Sequence, residues 1–236
     1  MPVRSLANLV VRDGMIYLNV MKHALSLILL VLSALPLTAH PHIFVDTGLD
    51  LRFDDQNRLI EVRMTWAYDD LYSLLITEDR GLDPDFDGVL TEAEQADLQG
   101  FDMNWSEGFN GDLVILQDGA PLALSGPMQA TAVYADGRIT TTHVRRVSGA
   151  EEAGVIEVKP YDKTYYTAYD ITLPVQIEGS DACGKRIEVP DVAAGLAAMG
   201  DQLNQMDAFM TDEEWAAMPD LGVLLTSTVV VTCDIS

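Results

Sequence analysis

The chain has 236 residues, of which 48% are hydrophobic, and a formal net charge of -23 at pH 7. This hydrophobic content is sufficient for a packed core, which excludes a wholly disordered chain. The negative charge argues against a nucleic-acid partner, because phosphate backbones are bound through Lys and Arg. An acidic surface instead attracts cations, although solubility in a salty compartment would explain the same charge.

Residues 1–39 read as an upstream extension followed by a secretory signal peptide. Met21 is the expected initiator, because residues 22–37 combine a basic start with an apolar run and Ala39 is a small residue at an acceptable cleavage site. The apolar run is too short for a membrane span. We therefore expect residues 40–236 to be exported to the periplasm as a single domain.

The exported part begins with two strand-like segments. Residues 43–53 alternate between apolar and polar side chains, as in a half-buried strand, and a turn cluster at residues 54–57 leads into a second such segment. The expected inner face of the second strand consists of Ile60, Val62, Met64, Trp66 and Tyr68. Helix-like segments at residues 69–77 and 91–101 then flank an acidic loop.

From residue 112 the chain returns to short strands, with hairpin signals at Asp118-Gly119 and Asp136-Gly137. The candidate strands are 112–117, 121–125, 129–135, 138–147, 153–159, 165–177 and, after an Ala-rich helix at 192–209, the β-branched run 223–233. The sequence therefore predicts an α+β fold. We expect mostly antiparallel sheet or sandwich, with an inserted helix-loop-helix and a C-terminal helical insertion.

The acidic loop from Asp83 to Glu94 has the spacing of an EF-hand. Calcium prefers about six to eight oxygen ligands, which an EF-hand loop supplies from its positions 1, 3, 5, 7, 9 and 12. The residues at these positions are Asp83, Asp85, Asp87, Val89 (through its carbonyl), Thr91 and Glu94. Gly88 falls where the loop must turn sharply. We predict one structural calcium site here; the alternative is a solvated acidic turn before a helix capped by Thr91.

Histidines near the expected cleavage site suggest a transition-metal site. Cleavage would leave His40 at the N-terminus, where its amine and imidazole can bind one ion together, and His42 adds a second ring. His143 lies on a predicted strand, and three histidines, or two with Asp46, could complete a tetrahedral site. The alternative is that His143 is simply packed and that the first two are polar residues beside a cleavage site.

The chain has two cysteines, Cys183 and Cys233. A lone pair in an oxidising compartment is expected to form a disulfide, and a pair of thiolate metal ligands is less well supported because no CxxC spacing is present. No GxSxG, HExxH, P-loop or Cys–His nucleophile pattern occurs. We therefore expect no enzymatic activity.

Several of these elements together resemble a bacterial periplasmic family catalogued as domain of unknown function 1007. The elements that carry the resemblance are the A-H-P-H-I-F-V-D start at 39–46, the loop at 82–94, the Tyr-Asp-x-Thr-Tyr-Tyr stretch at 161–166 and the late cysteine pair. They occur in the same order and span the whole exported part. Lys163 departs from the pattern, because the family tends to place proline there.

The resemblance implies a periplasmic accessory protein of transition-metal transport. Members are commonly labelled periplasmic components of uncharacterised transport systems, and they tend to occur beside or fused to nickel/cobalt-type permeases. The implied cofactors are Ca²⁺ and a transition metal such as zinc, nickel, cobalt or copper. The implied partner is an inner-membrane metal permease or ABC transporter on a separate chain. The alternative is a calcium-stabilised interaction module without a transition-metal role.

Overall fold

The computed structural model describes residues 41–152, 154–203, 220 and 222–233. The expected upstream extension, the signal peptide, the cleavage site and His40 lie outside these residues, as does the predicted helix beyond Leu203. None of the helices in the described ranges is long and apolar enough to cross a membrane.

The described part of the chain contains twelve strands and three α-helices. The strands are β1 Ile43–Phe53, β2 Leu59–Tyr68, β3 Leu113–Gln117, β4 Ala120–Pro121, β5 Ala123–Leu124, β6 Met128–Ala135, β7 Arg138–Ser148, β8 Val155–Pro160, β9 Thr167–Asp170, β10 Val175–Glu178, β11 Cys183–Glu188 and β12 Thr228–Cys233. The helices are α1 Asp70–Arg80, α2 Glu92–Asp97 and α3 Val192–Leu203, and a 3₁₀ turn spans Gly222–Leu224.

The strands form two sheets. The first has the order β10-β1-β2-β7-β5, with β9 also paired to β1 and β6 also paired to β7. Its pairs are antiparallel except along the outer edge of β1, where β9 and β10 run parallel to it. The second sheet has the order β11-β12-β8-β3-β4 and is antiparallel throughout.

One apolar core lies between the two sheets. Leu49 and Leu51 of the first sheet and Ile115, Val158 and Val229 of the second are almost fully buried and belong to the same apolar cluster. Alternation along each strand directs these side chains inward, so burial of one face stabilises both sheets. The predicted mostly antiparallel α+β fold is confirmed at this level.

The hairpin of β1 and β2 is confirmed, but one residue of its predicted inner face is wrong. Ile60 is 37% exposed, whereas its neighbour Leu59 is only 1% exposed. The pairing shifts by one residue between Arg52 and Phe53, so that Phe53 lies opposite Leu59 and Ile60 has no partner. A β-bulge of this kind reverses the alternation locally.

Two other predicted strands are divided in the structure, and one strand was not predicted. The segment 165–177 is two strands, because residues 171–174 interrupt it between β9 and β10, and Pro174 has no N–H to donate to a ladder. The segment 121–125 is likewise divided between β4 and β5, which belong to different sheets. Strand β11 was not predicted, since its side chains are mostly exposed and show no alternation.

The expected disulfide is present. Cys183 and Cys233 are direct partners in the β11–β12 ladder, and their sulfurs are bonded at 1.97 Å. The bond joins the unpredicted edge strand to the C-terminal strand of the core.

We expect removal of this disulfide to destabilise the fold. In the chain-entropy model, a link across 50 residues lowers the entropy of the unfolded chain enough to contribute about 4 kcal/mol to the free energy of unfolding. Urea unfolding with and without reductant should show this loss. A Cys183→Ala/Cys233→Ala variant, the control, should be insensitive to reductant. Equal stability of the oxidised and reduced wild type would contradict the prediction.

Candidate functional site

The acidic loop is held between two well-defined helix ends. Helix α1 ends at Gly81, which has the left-handed backbone that suits glycine, and the buried Leu82 anchors the start of the loop in the core. Helix α2 begins at Thr91, whose hydroxyl and backbone form a capping box with Glu94. The helices pack against neighbouring strands, α1 against β7 and α2 against β6, so the loop lies at the edge of the first sheet.

Three carboxylates converge in this loop. One oxygen each of Asp83, Asp85 and Asp87 lie within 4.8 Å of one another, and in the described ranges no other group of three or more His, Cys, Asp or Glu side chains meets this criterion. The Asp83 carboxylate accepts hydrogen bonds from the backbone N–H groups of Asp87 (3.0 Å) and Gly88 (3.1 Å). Gly88 has a φ of +78°, as predicted. Charges this close repel unless a cation lies among them, so the loop is suited to bind a metal ion.

Glu94 has a different environment. Its Oε2 accepts hydrogen bonds from the Thr91 backbone (2.8 Å) and hydroxyl (2.7 Å). The pKa of Glu94 is lowered, first by the Thr91 hydroxyl, then by the Thr91 backbone and further by the backbone of Asp83. The carboxylate at the end of the loop therefore lies close to its beginning. Coordination by Glu94, Thr91 and the Val89 carbonyl stays a prediction.

His42 lines the second candidate site, a cleft of about 500 Å³ beside the start of β1. The charged side chains of this cleft are those of Asp46, Asp69, Asp70, Arg138 and Asp170. The His42 ring packs against Tyr166, with the ring centroids 4.7 Å apart, and its backbone N–H donates to the Tyr166 carbonyl. The cleft thus brings one predicted metal ligand close to several carboxylates.

Two of the cleft carboxylates already have strong partners. Arg138 donates to Asp46 at 2.7 Å, and the Thr172 hydroxyl donates to the other Asp46 oxygen. The pKa of Asp46 is lowered, chiefly by the Thr172 hydrogen bond and then by Arg138. Asp69 caps α1 through the Tyr72 N–H and also accepts from the Phe44 N–H.

Asp170 differs from these two residues. Burial raises its pKa, and the negative charge of Asp46 raises it further. A cation bound in the cleft would stabilise the ionised form of Asp170 by the same electrostatic argument.

His143 does not line this cleft. It is fully buried, and its ring lies against Trp66 and Trp105 at centroid distances of 4.7 and 5.5 Å. Burial lowers the pKa of His143 to about 4, with a further contribution from the charge of Arg145. The imidazole is therefore neutral at physiological pH. The described structure brings His42 and Asp46 to one cleft but leaves His143 in the core.

Asp112 is a partly buried acid that the sequence did not single out. It accepts a hydrogen bond from the Tyr169 hydroxyl at 2.7 Å, and burial raises the pKa of Asp112 to about 7, with Asp162 contributing in the same direction. Arg138, Asp69 and Asp170 of the cleft were missed as well. Each lies at the end of a strand or beside it, and only the packing of distant segments reveals that they meet.

We expect Asp112 to make stability fall as pH rises. An unfolded Asp ionises near pH 4, whereas the folded side chain holds its proton up to about pH 7. The folded state therefore binds more protons between these values, and its free energy of unfolding decreases with increasing pH. Asp112→Asn, which keeps an acceptor for Tyr169 and tolerates the φ of +47°, should show a shallower decrease in urea unfolding.

Asp136→Asn is the matched control, because Asp136 also has a positive φ but is exposed in a turn. Its pH dependence should follow the wild type. An unchanged slope in Asp112→Asn would refute the prediction.

The comparison with protein families gives one match over nearly the whole chain. The model for the family described as "Protein of unknown function (DUF1007)" matches residues 25–233. The range includes the His42 cleft, the acidic loop, the buried His143 and both cysteines. No curated protein matches the chain. The chain therefore belongs to the DUF1007 family.

Proposed function

We propose that this protein is a periplasmic calcium-binding accessory protein of transition-metal transport, and we assign it no enzymatic activity. The observation that carries the calcium part is the convergence of Asp83, Asp85 and Asp87 around one point of an EF-hand-like loop. Carboxylate oxygens are hard donors that suit Ca²⁺. The Val89 carbonyl, Thr91 and Glu94 would complete the ligand set.

The position of the loop supports a structural role for calcium. Asp85 and Asp87 are exposed, and exported modules of this kind bind calcium with a Kd of about 10⁻⁴ to 10⁻³ M. Helix α1 connects the loop to the cleft, because its N-terminal residues Asp69 and Asp70 line the cleft and its C-terminal end leads into the loop. A bound ion would therefore stabilise the segment that forms one wall of the cleft.

Calcium should raise the melting temperature of the wild type and not that of Glu94→Gln. Gln keeps the capping box but removes a charged ligand. Calcium at tenfold its Kd should stabilise the wild type by about 1.4 kcal/mol, because the ion binds only the folded state. Calorimetry with Ca²⁺ and with a chelator measures the difference.

Glu92→Gln is the control for this experiment, since Glu92 lies in the same helical turn but at no ligand position. It should respond to calcium as the wild type does. A wild-type melting temperature independent of calcium would contradict the proposal.

The transition-metal part rests on the cleft. His42 lines it together with Asp46 and Asp170, and His40 is only two residues away along the chain. Imidazole and carboxylate donors suit zinc, nickel, cobalt and copper(II). The Cys183–Cys233 disulfide and the signal-like residues 22–39 support a periplasmic location. The transport labels of the family support an inner-membrane permease or ABC transporter as the partner.

Zinc, nickel and copper(II) titrations of the exported form, with calcium present, test this part. We expect submicromolar binding of at least one ion, because imidazole and carboxylate donors surround the same cleft. A His40→Ala/His42→Ala variant should lose this binding. His23 does not contribute to the measurement, because it lies in the signal-like segment, which the exported form lacks. Binding that is absent, or unchanged in the variant, would reject a role for these histidines.

A calcium-stabilised interaction module is the second candidate, and the surface of α1 favours it. Leu71, Leu74 and Leu75 are 63%, 46% and 52% exposed. The buried face of the helix instead carries Ser73, whose hydroxyl accepts the backbone N–H of Ile139 on β7. An exposed leucine face on a helix is typical of an interaction surface. Absence of transition-metal binding in the titrations would leave this candidate as the better one.

A further inference from the structure

Unpartnered polar atoms are concentrated at one place in the core. In the described ranges, the buried side-chain nitrogen and oxygen atoms without a hydrogen-bond partner are Trp66 Nε1, Asp102 Oδ1 and both ring nitrogens of His143. Buried polar atoms in folded proteins are almost always partnered. Of these atoms, one ring nitrogen of His143 and Asp102 Oδ1 are acceptors that can bind a cation, whereas Trp66 Nε1 is a donor only.

The strand register places a thioether next to the His143 ring. Met64 on β2 is the direct partner of His143 on β7, and directly opposed side chains lie on the same face of an antiparallel pair. Both residues are fully buried. Trp66, two residues after Met64, shares that face and lies beside the imidazole. Trp105, which is partly exposed and lies in the chain between α2 and β3, contacts the imidazole with an angle of 90° between the two ring planes.

The donor atoms at this place favour a soft cation. A thioether and a neutral imidazole are ligands for copper(I), whereas calcium and magnesium need several oxygens.

The nearby charged side chains favour a monovalent cation over a divalent one. Asp102 lies close by, since it accepts hydrogen bonds from Thr141 and Tyr68 on the same face. Arg145 also lies close, with its guanidinium over the Trp105 ring at 5.0 Å. One acidic and one basic side chain therefore lie near the site, and burying an additional dication there would cost more than burying a single positive charge. Copper(I) also accepts few ligands, so it does not require water molecules in a closed core.

We propose that Met64 and His143 bind a soft monovalent cation of the copper(I) type between Trp66 and Trp105. This site is separate from the acidic loop and from the His42 cleft, and it does not depend on either of them. Displacement of Trp105 would give the ion a way in, because this side chain contacts the His143 ring and is itself partly exposed.

Anaerobic titration with copper(I) in competition with bicinchoninate tests the proposal. The exported form carrying His40→Ala/His42→Ala is used, so that binding in the cleft does not contribute. We expect one equivalent of copper(I) to be retained and to quench tryptophan fluorescence. Met64→Leu preserves the core volume and should weaken copper(I) binding at least about tenfold. Replacing residues that only support a metal ligand already causes a loss of that size.

Met128→Leu is the matched control. Met128 pairs with Val144, the neighbour of His143, and therefore faces the opposite side of the sheet. It should bind copper(I) like its parent. Circular dichroism of both variants verifies the fold. Failure to retain copper(I), or equal affinity in Met64→Leu, would overturn the proposal and leave buried water as the explanation of the unpartnered atoms.

Discussion

The pairing of β2 with β1 on one side and with β7 on the other determines where every candidate site lies. The inner faces of these three strands contribute to the core, so the polar ends of the strands lie at fixed positions around the core. The start of β1 carries His42 and Asp46 to the cleft. The end of β2 leads directly into α1 and the acidic loop, and β7 contributes Arg138 to the cleft and His143 to the core. A slip of one residue would exchange buried and exposed faces throughout.

The structure compensates only part of its negative charge. Several carboxylates are neutralised locally, as Asp46 is by Arg138, or are used as caps, as Asp69 is for α1. Others lack such compensation: the Asp83, Asp85 and Asp87 group repels itself, and Asp170 is held beside Asp46. The uncompensated groups are the ones to which a cation adds most, since it removes repulsion as well as forming bonds.

Helix α1 relates these features to each other. Its first turn forms a wall of the cleft, its last turn leads into the acidic loop, and its outer face exposes leucines. Its inner face contacts β7 through the Ser73 hydroxyl and packs the partly buried Tyr72 and Ile76 against the core. Because these two side chains are only partly buried, the helix gains less from apolar burial than the core strands do, and an ion bound in its C-terminal loop would add to its stability.

Local patterns were sufficient for much of the structure. Alternation predicted β1 and β2, the Asp-Gly turns predicted the hairpins at 118–119 and 136–137, and the twelve-residue spacing predicted the converging aspartates. Each of these depends on side chains a few residues apart, whose interactions follow from backbone geometry alone. The disulfide followed from a count of two cysteines. By contrast, Leu59 replaced Ile60 in the core because of a bulge that depends on the neighbouring strand.

What the sequence by itself determined, therefore, is the fold class, the acidic loop and the cysteine pair. Only the tertiary structure decided that His143 lies apart from the His42 cleft, that Asp170 and Arg138 meet Asp46 there, and that Met64 lies opposite His143. The reason is physical. These contacts join residues far apart in the chain, and their distances depend on strand order and register, which no local pattern of side chains specifies.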